Sequence, residues 1–451
     1  MCFDFRSSIF DFMLNYLRKT ISPDNPIRLL WHLFKGISAA YKYGFPAKKM
    51  VCIGVTGTNG KTTTTHMTEH ILRTAGKKVG MMSTVEFRIN GKVTPNTSKK
   101  TTMSPFKTQK FLKSCLRQKV EYVVIECSSH ALHQHRLWGI PFSISAITNI
   151  THEHLDYHHT MEKYKEAKKI LFHTVSRTCK RHLPETIAHI PHKQTIVINT
   201  TDKYFQEFNE ISCTNKITYG FDAGDLRAHH VSCTKFGSKF ALHYGPDEIG
   251  IELKIPGSFN VENALAATGN ALACKVSLDD IKRALESFEG VPGRMETIRS
   301  PRGFEVLVDF ALTPDALERL YKTIHETNPK RVIGIIGSCG DRDKEKRPIM
   351  GKIVAQNSDI TIVTDEEPYS EAPMVIMKAV LDGAKHVKKL DKDLFLIEDR
   401  YKAIEFAVKN AQAGDLIVLT GMGSLPSRTL NDGPIAWDER EVVRGIIQEN
   451  V

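Results

Sequence analysis

Apolar positions along the 451-residue chain recur with two periods. Runs built on β-branched and apolar residues at Val51–Val55, Lys78–Ser83, Glu121–Cys127 and Phe142–Asn149 read as strands, and each is followed by a stretch with helical spacing. That alternation predicts a mostly parallel α/β sheet, with ligands at the strands' carboxyl ends. From 176 to 255 the pattern is less regular, with strand-like pieces such as Thr195–Asn199 and Phe240–Tyr244, and it predicts loops and a small β-subdomain. Alternation resumes in strands at Glu305–Asp309, Arg331–Ile336, Ile360–Thr364 and Asp415–Thr420. Pro292-Gly293 reads as a hinge before them. Ahead of the first strand, Phe3–Leu17 and Leu30–Tyr41 read as amphipathic helices broken by Ser22–Pro26, with Leu30, Leu33, Phe34, Ile37 and Tyr41 on one stripe. That stripe is expected to pack on the next domain rather than lie on a membrane surface. The expected organisation is a helical segment over 1–48, a central domain over 49–292 and a C-terminal domain over 293–451.

Composition adds limits rather than an activity. Hydrophobic content of 41% and charged content of 25% are ordinary for globular chains. Nine scattered cysteines without a CxxC pair argue against a disulfide framework and against a zinc knuckle, and suit a reducing compartment. No apolar run reaches the ~18 residues that a bilayer span needs, and no small-residue cleavage site follows the N-terminus. A cytoplasmic monomer without a transmembrane span is expected. The net charge is +11, of which +5 falls within residues 1–50. Without interleaved aromatic and basic residues this points to a basic proteome or a surface for phosphorylated substrates rather than to nucleic acid.

The densest chemistry lies in VCIGVTGTNGKTTTT, Val51–Thr65. A strand, a glycine-containing turn and a helix start make a phosphate loop: Gly57, Thr58, Asn59 and Gly60 turn backbone N–H groups inward, and Lys61 reaches outer phosphates. Thr62 would give a hydroxyl to magnesium, with Thr63 following. Val55 stands where the general loop has its first glycine, so this is a variant. Glu126, closing an apolar strand, is costly to bury unless paired or metal-bound, and magnesium beside the loop is the obvious partner. The His-rich NITHEHLDYHH, Asn149–His159, lacks HExxH spacing and any cysteine, so zinc is not expected.

Seven ordered blocks between residues 50 and 440 resemble the Mur ligase family of ATP-dependent amide ligases. They are GTNGKTT, ECSSHALHQHR, TNITHEHLDYHHTMEKYKEAKKILF, GSFNVENALAA, VPGRMET, VDFALTPDAL and GSCGDRDKEKRPIMG. Within the family they are most similar to the UDP-N-acetylmuramoyl-tripeptide synthetases of peptidoglycan synthesis. The resemblance implies an α/β phosphate-loop ATPase domain followed by a Rossmann-like C-terminal domain. It implies ATP and two Mg²⁺ ions, with Glu126 and His154 as metal ligands and Lys168 carbamylated into a third. Asn260, Asn263, Arg294 and Asp309 fall at its ATP positions. Thr101, Thr102, Ser128, Gln134 and Arg136 fall at its acceptor positions, and Arg342 at the amino substrate. The acceptor's carboxylate would be phosphorylated by ATP and then attacked by an amine.

Two departures bear on substrates. The family's N-terminal uridine-binding domain is about twice as long as residues 1–48, which leaves the acceptor's uridine end open. A γ-glutamyl or folate acceptor, as in folylpolyglutamate synthase, is the alternative within the family, and an ATP-binding switch or silent homologue is the alternative outside it. Members that add meso-diaminopimelate have DNPR where this chain has Glu366-Glu367-Pro368-Tyr369, and GKGHE where it has Gly421-Met422-Gly423-Ser424-Leu425. Losing the arginine and glutamate of those motifs predicts little preference for meso-diaminopimelate. The acidic pair Glu366 and Glu367 predicts attraction for a single side-chain ammonium.

Overall fold

The computed structural model describes residues 25–179 and 185–450. The helix expected over Phe3–Leu17 lies outside them. The first sheet has eleven strands: β1 (Val51–Thr56), β2 (Val79–Met82), β3 (Glu86–Ile89), β4 (Lys92–Pro95), β5 (Tyr122–Glu126), β6 (Phe142–Ile147), β7 (Thr195–Asn199), β8 (Asn215–Gly220), β9 (Leu226–Thr234), β10 (Gly237–Tyr244) and β11 (Asp247–Leu253). Their spatial order is β11-β10-β9-β8-β7-β6-β1-β5-β2-β3-β4. Pairing is parallel from β9 through β2 and antiparallel at both edges. All six residues of β1 are buried, because helices cover both faces of a central parallel strand. Val51, Ile53 and Val55 join one core with Met67 and Ile71 of the helix Lys61–Thr74 and Val261, Ala264 and Leu265 of the helix Ser258–Ala273. Cys52, on the opposite face, joins Tyr164, Leu171 and Phe172 of the helix Met161–Cys179.

The second sheet has six strands, β12 (Glu296–Arg299), β13 (Glu305–Val308), β14 (Arg331–Ile336), β15 (Ile360–Val363), β16 (Leu394–Leu396) and β17 (Asp415–Leu419), in the order β12-β13-β17-β14-β15-β16. Only β12 is antiparallel to its neighbour. A small hairpin, β18 (Ser427–Leu430) and β19 (Gly433–Ala436), follows.

Three expectations fail in instructive ways. The residues between 195 and 255 are no separate subdomain, since β7 to β11 extend the main sheet to its edge. After β2 comes a hairpin rather than a helix; Asn90 and Gly91, both at positive φ, make the two-residue turn that such a hairpin requires. The first described helix runs from Pro26 to Tyr43, capped by the Asn25 side chain, and it buries Gly36, Ala39 and Ala40. Leu30, Phe34 and Tyr41 of the expected packing stripe are exposed, while Leu33 and Ile37 are half-buried. Small side chains win because they allow closer approach: a Cβ on Gly36 would lie 2.7 Å from the His135 carbonyl oxygen.

Candidate active site

β1 lies between β5 and β6, so the loop after β1 opens at a point where the chain's crossovers diverge. Gly57 has φ 146°, and a Cβ there would lie 1.8 Å from Thr148 Oγ1. Gly60, at φ 82°, caps the helix Lys61–Thr74, and a Cβ there would meet Asn263 Oδ1 at 2.2 Å. Both positions therefore need glycine. The loop is held from behind: Thr58 N donates to the Asn149 carbonyl at 2.7 Å, and Asn59 N to Asn149 Oδ1 at 2.9 Å. Lys61 Nζ donates to the Thr58 carbonyl at 2.6 Å. Asn59 Nδ2 also reaches Asp315 Oδ2, at 2.7 Å, on the helix Pro314–Glu326 of the second sheet's layer.

Beside the loop, Glu126 is buried at the end of β5 and its partners are neutral. Thr62 Oγ1 donates to Oε1 at 2.9 Å, and Thr84 donates to Oε2 from both its N–H (2.8 Å) and its hydroxyl (3.0 Å). Lys168, only 1% exposed, donates to the Gly57 carbonyl at 2.7 Å and lies over the Tyr164 ring. Burial, reinforced by the Lys61 ammonium, pushes its amine well below the ordinary lysine range. Glu153, which sequence reasoning did not single out, lines the same cavity. Burial raises its carboxyl, but His154, Lys61, Lys346 and Lys168 outweigh this and hold it below the usual value. His154 stands at φ 57° with its ring edge-on to His130, 4.7 Å between centroids. Burial lowers both His154 and His130, the latter to about 2.

The opposite wall comes from the second sheet's residues. The Arg294 guanidinium stacks 4.3 Å over the Phe310 ring, and its buried Nε has no hydrogen-bond partner. Asp309 Oδ2 accepts from Met295 N at 2.8 Å; burial raises its carboxyl while Arg294 opposes the rise. Asn260 and Asn263 line the cavity but are engaged internally, Asn260 with the Pro256 carbonyl at 2.7 Å and Asn263 with Asn260 Oδ1 at 3.2 Å.

A cavity of about 350 Å³ brings together Gly57 to Thr63, Thr101, Glu126, Ser128, His154, Lys168, Asn260, Asn263, Arg294, Asp309 and Arg342. Thr102, Gln134 and Arg136 stand behind it. Thr102 Oγ1 donates to the Glu126 carbonyl at 2.9 Å and accepts from Ser128 N at 3.0 Å, while Arg136 clamps Gln134 Oε1 and the Thr102 carbonyl. They shape the wall.

Glu366, Tyr369 and Gly421 lie outside the cavity lining, and the open acidic patch expected at Glu366-Glu367 does not exist. Glu366 is 1% exposed, accepts from Cys339 Sγ at 3.0 Å, and presses on Gly421, where a Cβ would lie 2.1 Å from Oε2. Glu367 is closed by the Lys99 ammonium, the Thr429 N–H (2.8 Å) and the Tyr369 hydroxyl (3.2 Å). Lys99, on the loop after β4, thus bridges the two sheets' layers; lysines are common enough that nothing in the sequence marked it. Arg342 stacks 5.6 Å over the Tyr369 ring at the cavity's edge.

Residues 55–271 match the model of the Mur ligase middle domain, and 293–423 that of the Mur ligase glutamate ligase domain. The chain is 37% identical over 408 residues to a UDP-N-acetylmuramoyl-L-alanyl-D-glutamate--2,6-diaminopimelate ligase of Geobacillus thermodenitrificans, covering 90% of this chain and 81% of that one. It is 36% identical over 417 residues to a UDP-N-acetylmuramyl-tripeptide synthetase of Roseiflexus sp., covering 91% and 81%. Among solved structures, a UDP-N-acetylmuramoyl-L-alanyl-D-glutamate--2,6-diaminopimelate ligase superposes with a TM-score of 0.60 at 28% identity, over 89% of this chain and 79% of that one. Members of this group are ATP-dependent amide ligases. Two successive domain matches, with more than a third of positions identical across nine-tenths of the chain, establish that it belongs to the Mur ligase family.

Proposed function

We propose that this chain joins an amino acid to the carboxylate of a muramoyl-dipeptide acceptor, using ATP bound between a domain over 49–292 and a domain over 293–451. The observation that carries the reading is the single cavity in which a phosphate loop and a buried carboxylate face Arg294, Asp309 and Arg342. Gly57 to Thr63 would cradle the phosphates, with Lys61 turning from the Thr58 carbonyl to the γ-phosphate. The unpartnered Nε of Arg294 suits a nucleotide acceptor atom. Thr101 and Ser128, backed by Thr102, Gln134 and Arg136, would hold the acceptor, and Arg342 the amine's carboxylate.

The carboxylate attacks the γ-phosphorus and ADP leaves; the neutral amine then attacks the acyl phosphate, expelling phosphate and losing its proton. Catalysis of this kind is positioning and charge neutralisation. The Mg²⁺ ions that the family uses fit the Thr62 hydroxyl and Glu126, whose buried carboxylate has only neutral hydrogen-bond partners, with His154 nearby; bound there, they supply positive charge to the phosphoryl oxygens. Among the described residues no three His, Cys, Asp or Glu side chains are placed to hold a metal ion by themselves, which suits an ion that keeps waters and phosphate oxygens as ligands. We place the carbamate on Lys168: burial lowers its amine and so favours the deprotonated form, which would add CO₂ and release a proton to become an anionic oxygen ligand.

For the amine, Tyr369 and Leu425 replace charged grips worth on the order of 2–3 kcal/mol each. Glu366 and Glu367 do not substitute for them, being buried and paired. We therefore assign an amino acid lacking a distal zwitterionic group. Phosphate release is to be measured with UDP-muramoyl-dipeptide and single amino acids. Highest kcat/KM with meso-diaminopimelate would reject the amine assignment, and turnover only with a γ-glutamyl folate would reject the acceptor.

A further inference from the structure

The helix Pro26–Tyr43 has two apolar faces, and among the described residues its buried residues all lie on one. Its small residues Gly36, Ala39 and Ala40 sit against the body of the protein, where a Cβ on Gly36 would lie 2.9 Å from Trp138 Cβ. The opposite face carries Ile27, Leu30, Trp31, Phe34 and Tyr41, exposed to 73, 66, 43, 58 and 69%. Helical spacing puts these five on one stripe roughly 20 Å long. The Trp31 and Phe34 rings stack at 5.9 Å. Phe106, exposed at the start of the adjoining helix Pro105–Arg117, widens the apolar surface, with Lys42 Nζ 5.7 Å from its ring centroid.

Along the two described stretches of chain that form this face the charge has one sign. No Asp or Glu occurs from Asn25 to Thr68, nor from Phe87 to Val120. Lys42, Lys48, Lys49, Lys107, Lys110 and Arg117 are all exposed on these two stretches. Protein–protein interface cores are depleted in lysine, whereas helices that lie in a lipid interface combine Trp, Phe and Leu on one side with a lysine and arginine rim. We propose that this face docks on an anionic lipid bilayer, the helix lying in the headgroup plane with Trp31, Phe34 and Tyr41 at the acyl boundary and the lysines on lipid phosphates. No helix among the described residues is long and apolar enough to cross a membrane, so the attachment is peripheral. The buried face of the helix rests on the His135–Trp138 turn, next to Gln134 and Arg136, so docking sets the acceptor side of the cavity near the lipid surface.

Flotation of the full chain with lipid vesicles tests this. The chain should float with vesicles of phosphatidylcholine mixed with phosphatidylglycerol, not with phosphatidylcholine alone, and salt should weaken the binding. Trp31→Glu combined with Phe34→Glu should lower the bound fraction at least about tenfold, with unchanged circular dichroism and unchanged ATP-dependent phosphate release. Lys107→Glu with Lys110→Glu should weaken binding to anionic vesicles through a separate set of exposed residues, which guards against a folding artefact in the first variant. Failure of the wild type to float with anionic vesicles overturns the proposal. So does undiminished flotation of the Trp31/Phe34 variant, which would place binding elsewhere on the chain. A wild-type dimer that ignores vesicles and becomes monomeric in that variant would likewise overturn it, making the face an interface between copies.

Discussion

The Lys99–Glu367 pair joins two layers of the molecule that are otherwise separate in sequence, so breaking it measures how firmly they are docked. The Lys99 side chain is 18% exposed and that of Glu367 4%, and Lys99 Nζ also donates to Thr429 Oγ1 at 3.0 Å. Removing one partner of a fully buried pair costs about 3–5 kcal/mol, because the other charge stays behind without its counter-ion. Here Lys99 keeps some contact with water, and Glu367 retains the Thr429 N–H and the Tyr369 hydroxyl. Lys99→Met should therefore cost ~2–3 kcal/mol. Lys99→Met with Glu367→Gln removes both charges together and should cost only about 1 kcal/mol more than wild type. Glu367→Gln alone, which leaves the partly exposed Lys99 with Thr429 Oγ1 and water, should cost ~0.5 kcal/mol, so the double-mutant cycle, read from urea denaturation by circular dichroism, should give a coupling of ~1.5–2.5 kcal/mol. Additivity within about 0.5 kcal/mol would show that the two side chains do not act as a pair and refute the reasoning.

Gly57→Ala drives a Cβ into Thr148 Oγ1 at 1.8 Å and should lower turnover on the order of a hundredfold by displacing the loop, measurable with weaker binding of an ATP analogue; near-normal binding would mean that the loop relaxes freely. Lys168→Ala should abolish ligation while leaving the fold intact, with short carboxylic acids partly restoring it; near-normal turnover of the variant removes the carbamate. Burial lowers His130 to about 2 and His158 to about 3, so both are neutral in the fold while the unfolded chain protonates near 6.5. Their contribution is complete above that pH and is lost as pH falls from about 6.5 toward the folded values, about 3 for His158 and about 2 for His130, by up to ~1 kcal/mol per pH unit for each ring after allowance for partial exposure. His130→Phe should flatten this acid limb, and an unchanged slope counts against burial of a neutral ring.

Local chemistry was legible wherever it is written in contiguous residues. The phosphate loop, the helix that follows it and the edges of β14 follow from period and glycine placement, because a buried strand and a capped helix start are decided within one turn of chain. The hairpin after β2 was legible too, in Asn90-Gly91, but its strands are short and partly exposed and carry no strong alternation. The first helix misleads for a physical reason. Size of side chain and depth of burial part company there, since glycine and alanine let the backbone approach the His135–Trp138 turn while the larger residues face outward.

The substrate-selecting corner shows why charge at a motif position does not translate into charge at a site. Read along the chain, Glu366 and Glu367 are two carboxylates in a row where the DNPR motif has Asp-Asn with an arginine close by, and an ammonium ligand follows naturally. In three dimensions each is spent on the protein itself: Glu367 on Lys99 from a loop 268 residues away, and Glu366 against Cys339 and the open space that Gly421 leaves. Burial pushes the Glu366 carboxyl up, with Arg400 opposing, and the group is closed off from any cation in the cavity. What this corner presents to the cavity is Arg342, backed by the Tyr369 ring on which it stacks. On the proposed reading the Arg342 guanidinium would take the α-carboxylate of the amino acid, and with Glu366 and Glu367 spent on the protein itself, discrimination among amines would not rest on counter-charges from this corner.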